Sequence, residues 1–171
     1  ATVTTINGTA VDANTAYASN GISGLGDEIV VLTDSSVSAS ALNTLDGNTS
    51  GAINAFNVTT ITGSAADANT AYSSAGIAGL DSETVTISDA TLAANVLNTL
   101  DGHTTGTVNA AAVTTITGAA ATVITAYDSS GISGLGDEKL TLSGNTSVSN
   151  ANTLDADTTV SYTHLRAHET S

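Results

Sequence analysis

The chain has 171 residues, 16 of them acidic and only two basic, giving a net charge of −14 at neutral pH. Such a field repels phosphates, so neither nucleic acid nor an anionic membrane surface is expected as a partner. There is no cysteine for a disulfide or a thiolate metal site, and no apolar run approaches the roughly 20 residues that span a bilayer, so membrane insertion is not expected either.

From the N-terminus, a β-rich run, TTING around Ile6, is followed by Thr9-Ala-Val-Asp12. A hydroxyl three residues before a carboxylate predicts a capped helix start. A second β-rich run, VVLTD around Leu32, precedes ALNTLDGNTSG from Ala41. The order then recurs. TTITG surrounds Ile61, with Ser64-Ala-Ala-Asp67 behind it and Ala65, Ala68, Ala71 and Tyr72 at helical spacing. TVTIS surrounds Ile87, with Leu92, Val96, Leu97 and Leu100 predicted on one helical face; TTITG surrounds Ile116 and LTLSG precedes a decayed ANTLDADTT from Ala151. Gly76 and Gly79, or Gly102 and Gly106, read as helix stops at positive φ.

These recurrences share one step. VTTING at Val3 and VTTITG at Val58 and Val113 are 55 residues apart, and so are TAYASNGISGLGDE, TAYSSAGIAGLDSE and TAYDSSGISGLGDE. Each unit splits into halves, because the anchors Ile6, Leu32, Ile61, Ile87, Ile116 and Leu142 are spaced alternately by 26 and 29 residues. The expected fold is an α/β repeat solenoid of about six coils in the leucine-rich-repeat size class, one short parallel strand and one short helix per coil, with right-handed crossovers. Its units would be residues 1–57, 58–112 and 113–159. An all-β solenoid is the alternative, and the abundant Ala, a good helix former and a poor strand former, weighs against it. The apolar layers must be thin, because one Phe and no Trp are present. Uncapped ends would leave the chain marginally stable or associating end to end.

With no methionine and a start in mid-pattern at Ala1, the chain reads as a piece of a longer protein. Residues 160–170, VSYTHLRAHET, break the repeat and resemble translated sequencing-adapter sequence. That stretch, a non-native tail expected to be disordered, holds Tyr162, His164, Arg166 and His168. The repeats themselves, VTTITGSAADANTAYSSAGIAGL and VTISDATLAANVLNTLDGHTTGTVNA, resemble those of very long surface or adhesin-like proteins of marine bacteria, cyanobacteria especially. The resemblance implies a structural or adhesive role in a secreted or cell-surface protein, with neighbouring repeats of the same chain as the first partners. It implies no catalytic residue, and no enzymatic activity is expected.

Three features are candidate sites. If the anchors point inward, their neighbours point outward. Thr5, Thr33, Thr60, Thr62, Thr86, Ser88, Thr115, Thr117, Thr141 and Ser143 would then form two hydroxyl columns on the sheet, interrupted by Asn7 and Val31. That is a face for ice, carbohydrate or another surface, or simply a solvated β-face. Acidic loops recur at Asp27-Glu28, Asp81/Glu83 and Asp137-Glu138, with Asp46 and Asp101 in LDG turns. Weak Ca²⁺ is conceivable there, but Ca²⁺ takes six to eight oxygens and no EF-hand or GGxGxD spacing occurs, so the expectation is a solvated acidic edge without a cofactor. His103, the counterpart of Asn48, lacks an evident partner for acid–base work, while Tyr17, Tyr72 and Tyr127 recur once per unit and read as packing residues.

Overall fold

The structure, a computed structural model, describes residues 3–158. The expected tail at residues 160–171 lies outside the described residues. The first unit contains β1 (Thr5–Gly8), α1 (Ala10–Tyr17), β2 (Ile29–Leu32), β3 (Ser36–Ser38), α2 (Ala39–Asn48) and β4 (Ile53–Asn54). The second contains β5 (Thr60–Gly63), α3 (Ala65–Ser73), β6 (Ile77–Ala78), β7 (Thr84–Ile87), β8 (Thr91–Ala93), α4 (Ala94–Asp101) and β9 (Val108–Asn109). The third contains β10 (Thr115–Gly118), α5 (Ala120–Asp128), β11 (Ile132–Ser133), β12 (Lys139–Leu142) and α6 (Val148–Asp157). The protein is therefore mixed α/β, with helices packed against three open sheets whose strands all run parallel.

The helices start where the sequence places them. Thr9 and Ser64 accept from the Asp12 and Asp67 amides, and donate their hydroxyls back to the same aspartates at 2.8 Å. A further orphan amide at each N-terminus is closed from 24 residues away, Ala10 N–H by Asp34 and Ala65 N–H by Asp89. First-half helices bury alanines (Ala65, Ala68 and Ala71 in α3), whereas second-half helices bury leucines (Leu97 and Leu100 in α4). Small faces thus alternate with large ones, which fills thin layers with no aromatic residue other than Tyr17, Tyr72 and Tyr127 at their margin. Leu92 departs from the expected helix. It sits in β8, and α4 begins two residues later at Ala94.

A single stack of six strands does not form. The sheets have the orders β1-β2-β4-β6, β11-β9-β7-β5-β3 and β12-β10-β8. The second halves of the first two units carry two strands before the helix, that of the third carries one, and two-residue strands follow α2 to α5. The register corrects the expected alignment of anchors. Ile6 pairs with Val30, Ile61 with Val37 and Val85, and Ile116 with Leu92 and Leu140, whereas Leu32, Ile87 and Leu142 stand beside Gly8, Gly63 and Gly118. Pairing therefore advances by 24 residues (Thr60 with Thr84, for example) or 23 (Val30 with Ile53), while helix starts advance by 29 and 26 in turn, from Ala10 to Ala39 to Ala65.

The physical cause is a mismatch of spacings. Paired strands sit about 4.8 Å apart, while packed helices need roughly 8–10 Å. Strand rows that slip back against the helices at each step satisfy both. Consequently each sheet runs diagonally. One begins immediately before α2, with β3, and ends just after α5, with β11.

Glycines mark two constraints on this path. Gly24, Gly79 and Gly134 hold the same turn at φ between 80° and 90°, a region that other residues enter at a cost. Of the expected helix stops only Gly79 has positive φ; Gly76, Gly102 and Gly106 do not. Crowding acts at two of them instead: a Cβ at Gly106 would overlap the Glu83 carbonyl, which is backbone, and one at Gly76 would displace the Asp46 carboxylate.

Candidate functional site

The expected hydroxyl columns break up because the register is not the one the anchors implied. In the central sheet they survive as two short files, Ser36–Thr60–Thr84 and Ser38–Thr62–Thr86, after which Asn109 follows Thr86. In the third sheet Thr115 lies between Thr91 and Lys139, and Thr117 between Ala93 and Thr141. In the first, Thr5 faces Ile29, and the adjoining file reads Asn7, Val31, Asn54, Ala78. Thr33, Ser88 and Ser143 lie just past their strands and donate their amides to the carbonyls of Gly8, Gly63 and Gly118. Of the ten residues expected on one face, seven are thus divided among three sheets and three lie beyond the strand ends.

The acidic loops are not a solvated edge. Asp27, Asp81 and Asp137 are exposed, but Glu28, Glu83 and Glu138 are buried, at 0%, 2% and 0% exposure. Each glutamate accepts a hydrogen bond from the tyrosine 11 residues earlier: Tyr17 to Glu28 at 3.1 Å, Tyr72 to Glu83 at 3.0 Å, and Tyr127 to Glu138 at 2.6 Å. A main-chain amide adds a second donor, from Gly26, Ser82 or Gly136. The chain's next pass closes the arrangement. Thr49 and Thr104, both buried, donate to the carbonyls of Glu28 and Glu83, and each hydroxyl in turn accepts from Gly51 or Gly106.

The electrostatics follow from these contacts. The Gly26 amide, outweighing the penalty of burial, holds the Glu28 carboxyl below its ordinary range. Burial pushes the Tyr17 and Tyr72 phenols above theirs. An ionised acceptor beside a phenol kept neutral makes a fixed hydrogen bond. It does not make an acid–base pair poised near neutrality.

His103 stacks on Tyr72 with ring centroids 5.8 Å apart and planes 3° from parallel. Its first-unit counterpart, Asn48, instead donates to Asn14 Oδ1. The helices are also tied by a file of asparagines. Asn14 donates to the Ala41 carbonyl, Asn43 to Asp67, Asn69 to Val96 and Asn98 to Thr122. In the third unit Ile124 takes the place of Asn14 and Asn69, and the file stops.

An open depression of about 510 Å³ is lined by Asp46, Asn69, Thr70, Ser73 and Ser74. Its one carboxylate is already engaged, accepting from Ser74 at 2.8 Å. Asp101 and Ser129 repeat that bond at 2.7 Å. Among the described residues no group of three His, Cys, Asp or Glu side chains is placed to hold a metal ion, and no helix is long and apolar enough to cross a membrane. The chain matches no protein-family model, and no curated protein or solved structure shows significant similarity to it.

Proposed function

We propose that the chain is a segment of a repeat solenoid, acting as a structural spacer or adhesive element of a large secreted or cell-surface protein, without catalysis. The asparagine file supports this reading best. Four equivalent side chains each donate to the main chain of the next helix, so the recurring polar groups are consumed in binding one pass of the chain to the next. In such an array each pass contacts only its neighbours, and the stability of the whole becomes a sum of local terms. Pulling a single molecule by its ends tests this. The expected trace has successive steps, each releasing roughly 8–10 nm of chain, as 24–29 extended residues would. One all-or-none rupture would sink the proposal.

A second reading has its own observation, the two hydroxyl files Ser36–Thr60–Thr84 and Ser38–Thr62–Thr86 in one sheet. They would suit a carbohydrate or ice surface. Thr60→Lys with Thr62→Lys should abolish binding on a glycan array or inhibition of ice recrystallisation. If the unaltered chain has neither activity, the spacer reading stands alone.

A further inference from the structure

Aligned on their first residues, the six helices have a single residue in common. Each helix packs against the next, so α1 to α6 lie side by side in one layer. The seventh position alternates between Ala and Leu, from Ala16 and Leu45 to Ala126 and Leu154, and the fifth is Asn except at Ile124. The sixth is always threonine: Thr15, Thr44, Thr70, Thr99, Thr125 and Thr153. Packing accounts for the alternating position, and the bond to the next helix accounts for the asparagine. Neither accounts for the threonine. In α1 to α5 it is exposed, and its hydroxyl donates at 2.8–3.0 Å to the carbonyl four residues earlier in its own helix. Serine would make that bond, and alanine is the better helix former.

The surroundings of the threonines differ from the rest of the surface. Other exposed positions on the same helices exchange freely, since Val11, Ser40, Ala66, Asn95 and Ala121 stand four residues before the threonines. With each hydroxyl turned onto its own helix, the threonine methyl is the group left facing outward. None of the residues exposed in α2, α3 and α4 is charged, and α1 and α5 expose only Asp12 and Asp128, near their ends. This uncharged layer belongs to a chain of net charge −14.

We propose that the helix layer is an interaction surface on which a second copy of the chain docks face to face, threonine methyls of one layer seating between helices of the other. Charge favours this occupant. Two acidic chains repel, but an uncharged layer lets them meet without burying a carboxylate. Size agrees: five helices about 13 Å long at a spacing of 8–10 Å offer on the order of 600 Å², and each partner of a specific pair buries roughly 600–1,000 Å². The open depression that Thr70 lines lies between α2 and α3, a groove able to receive a ridge of the facing helices. Because one face meets its own copy, the pair closes about a two-fold axis and association stops at two. Salt tightens it by screening the remaining repulsion, over a Debye length of about 8 Å near physiological ionic strength.

Sedimentation of the full chain over a concentration series should show a monomer–dimer equilibrium that strengthens with salt. Thr70→Glu with Thr99→Glu sets carboxylates at the centre of the face. Both positions are exposed, so thermal unfolding of the dilute chain should be unchanged while the dimer is lost. Two milder pairs separate methyl from hydroxyl. Thr70→Ser with Thr99→Ser keeps the bond to the helix and should weaken pairing roughly tenfold or more; Thr70→Val with Thr99→Val keeps the methyl and should pair like the unaltered chain. The chain has no cysteine, so Thr70→Cys with a short bis-maleimide should link copies in pairs without background, and Thr84→Cys, exposed in β7, should not. A chain that stays monomeric at high concentration and salt, a double-Glu variant that still pairs, or pairing that follows the hydroxyl instead of the methyl overturns the proposal. Stepwise unfolding of the single chain is untouched by these outcomes, so the spacer reading and the pairing fail separately.

Discussion

The Tyr72 hydroxyl donates at 3.0 Å to a Glu83 carboxylate that is 2% exposed, and the same pair recurs in each unit at a separation of 11 residues. The bond ties the end of α3 to the residue that precedes β7, across the intervening β6. It leaves a buried charge dependent on a donor from a distant element. Tyr72→Phe removes that donor and keeps the ring packing, so it should lower stability by about 1–3 kcal/mol. Urea unfolding followed by circular dichroism reads this directly, and an unchanged midpoint would show the hydrogen bond to be dispensable.

The same pairs set the response to pH. The Glu28 carboxyl is lowered in the folded chain from an ordinary value of 4.5, so its contribution is complete above that value and is lost as pH falls through the folded one. The Tyr17 and Tyr72 phenols are raised from 10.0, so their contribution is complete below pH 10.0 and is lost as pH rises through the folded values. Stability should therefore fall at both extremes. Urea midpoints measured between acid and alkaline pH should show both limbs, and Glu28→Gln should flatten the acid one.

Two glycines four residues apart should respond oppositely to alanine. At Gly106 a Cβ would overlap the Glu83 carbonyl oxygen and lie 2.6 Å from its carbon. Rigid backbone cannot yield cheaply, and Gly106→Ala should cost about 2 kcal/mol or more. At Gly102, with φ −72° and its nearest neighbour 3.4 Å from a new Cβ, alanine fits. Gly102→Ala should stabilise by about 0.4–1 kcal/mol through the unfolded chain. Calorimetry on the two variants would separate crowding from flexibility as the reason for each glycine.

Helix α5 can be repaired. Its N-cap is Ala119, already extended at φ −69° and ψ 144° but offering no side-chain acceptor, where Thr9 and Ser64 cap α1 and α3. Ala119→Ser should raise stability by about 1 kcal/mol. Adding Thr122→Asp should restore the reciprocal bond of the other two helices. No rise in melting temperature for the double variant would show that a side-chain cap at this position adds nothing to stability.

The sequence disclosed side-chain periodicity well and hydrogen-bond register poorly. Duplication fixes which residues are equivalent 55 apart, and inward-facing anchors such as Leu32 and Ile87 are indeed buried. Strand side chains repeat every two residues, however, so a shift of two leaves the faces intact and moves every partner. That is why Ile6 meets Val30 rather than Leu32, and why the hydroxyl columns divide. The buried glutamates had a usable signal. Across the three units the position before them reads Asp27, Ser82 and Asp137, while Glu28, Glu83 and Glu138 do not vary and keep their distance from Tyr17, Tyr72 and Tyr127. A solvated acid tolerates exchange; one bonded to a fixed phenol does not. The stack of His103 on Tyr72 had no such signal, being a one-unit departure from Asn48.

The diagonal slip of strands against helices has a mechanical consequence. The first sheet has not ended when the second begins, since β3 precedes β4 and β6, and the third begins at β8 while the second continues to β11. The sheets overlap like courses of brick with staggered joints. Over the span from β3 to β11 no joint runs through the whole thickness, so a crack opening between two strands of one sheet meets the unbroken middle of another. A wall laid in this bond resists shear along its length better than one whose seams coincide.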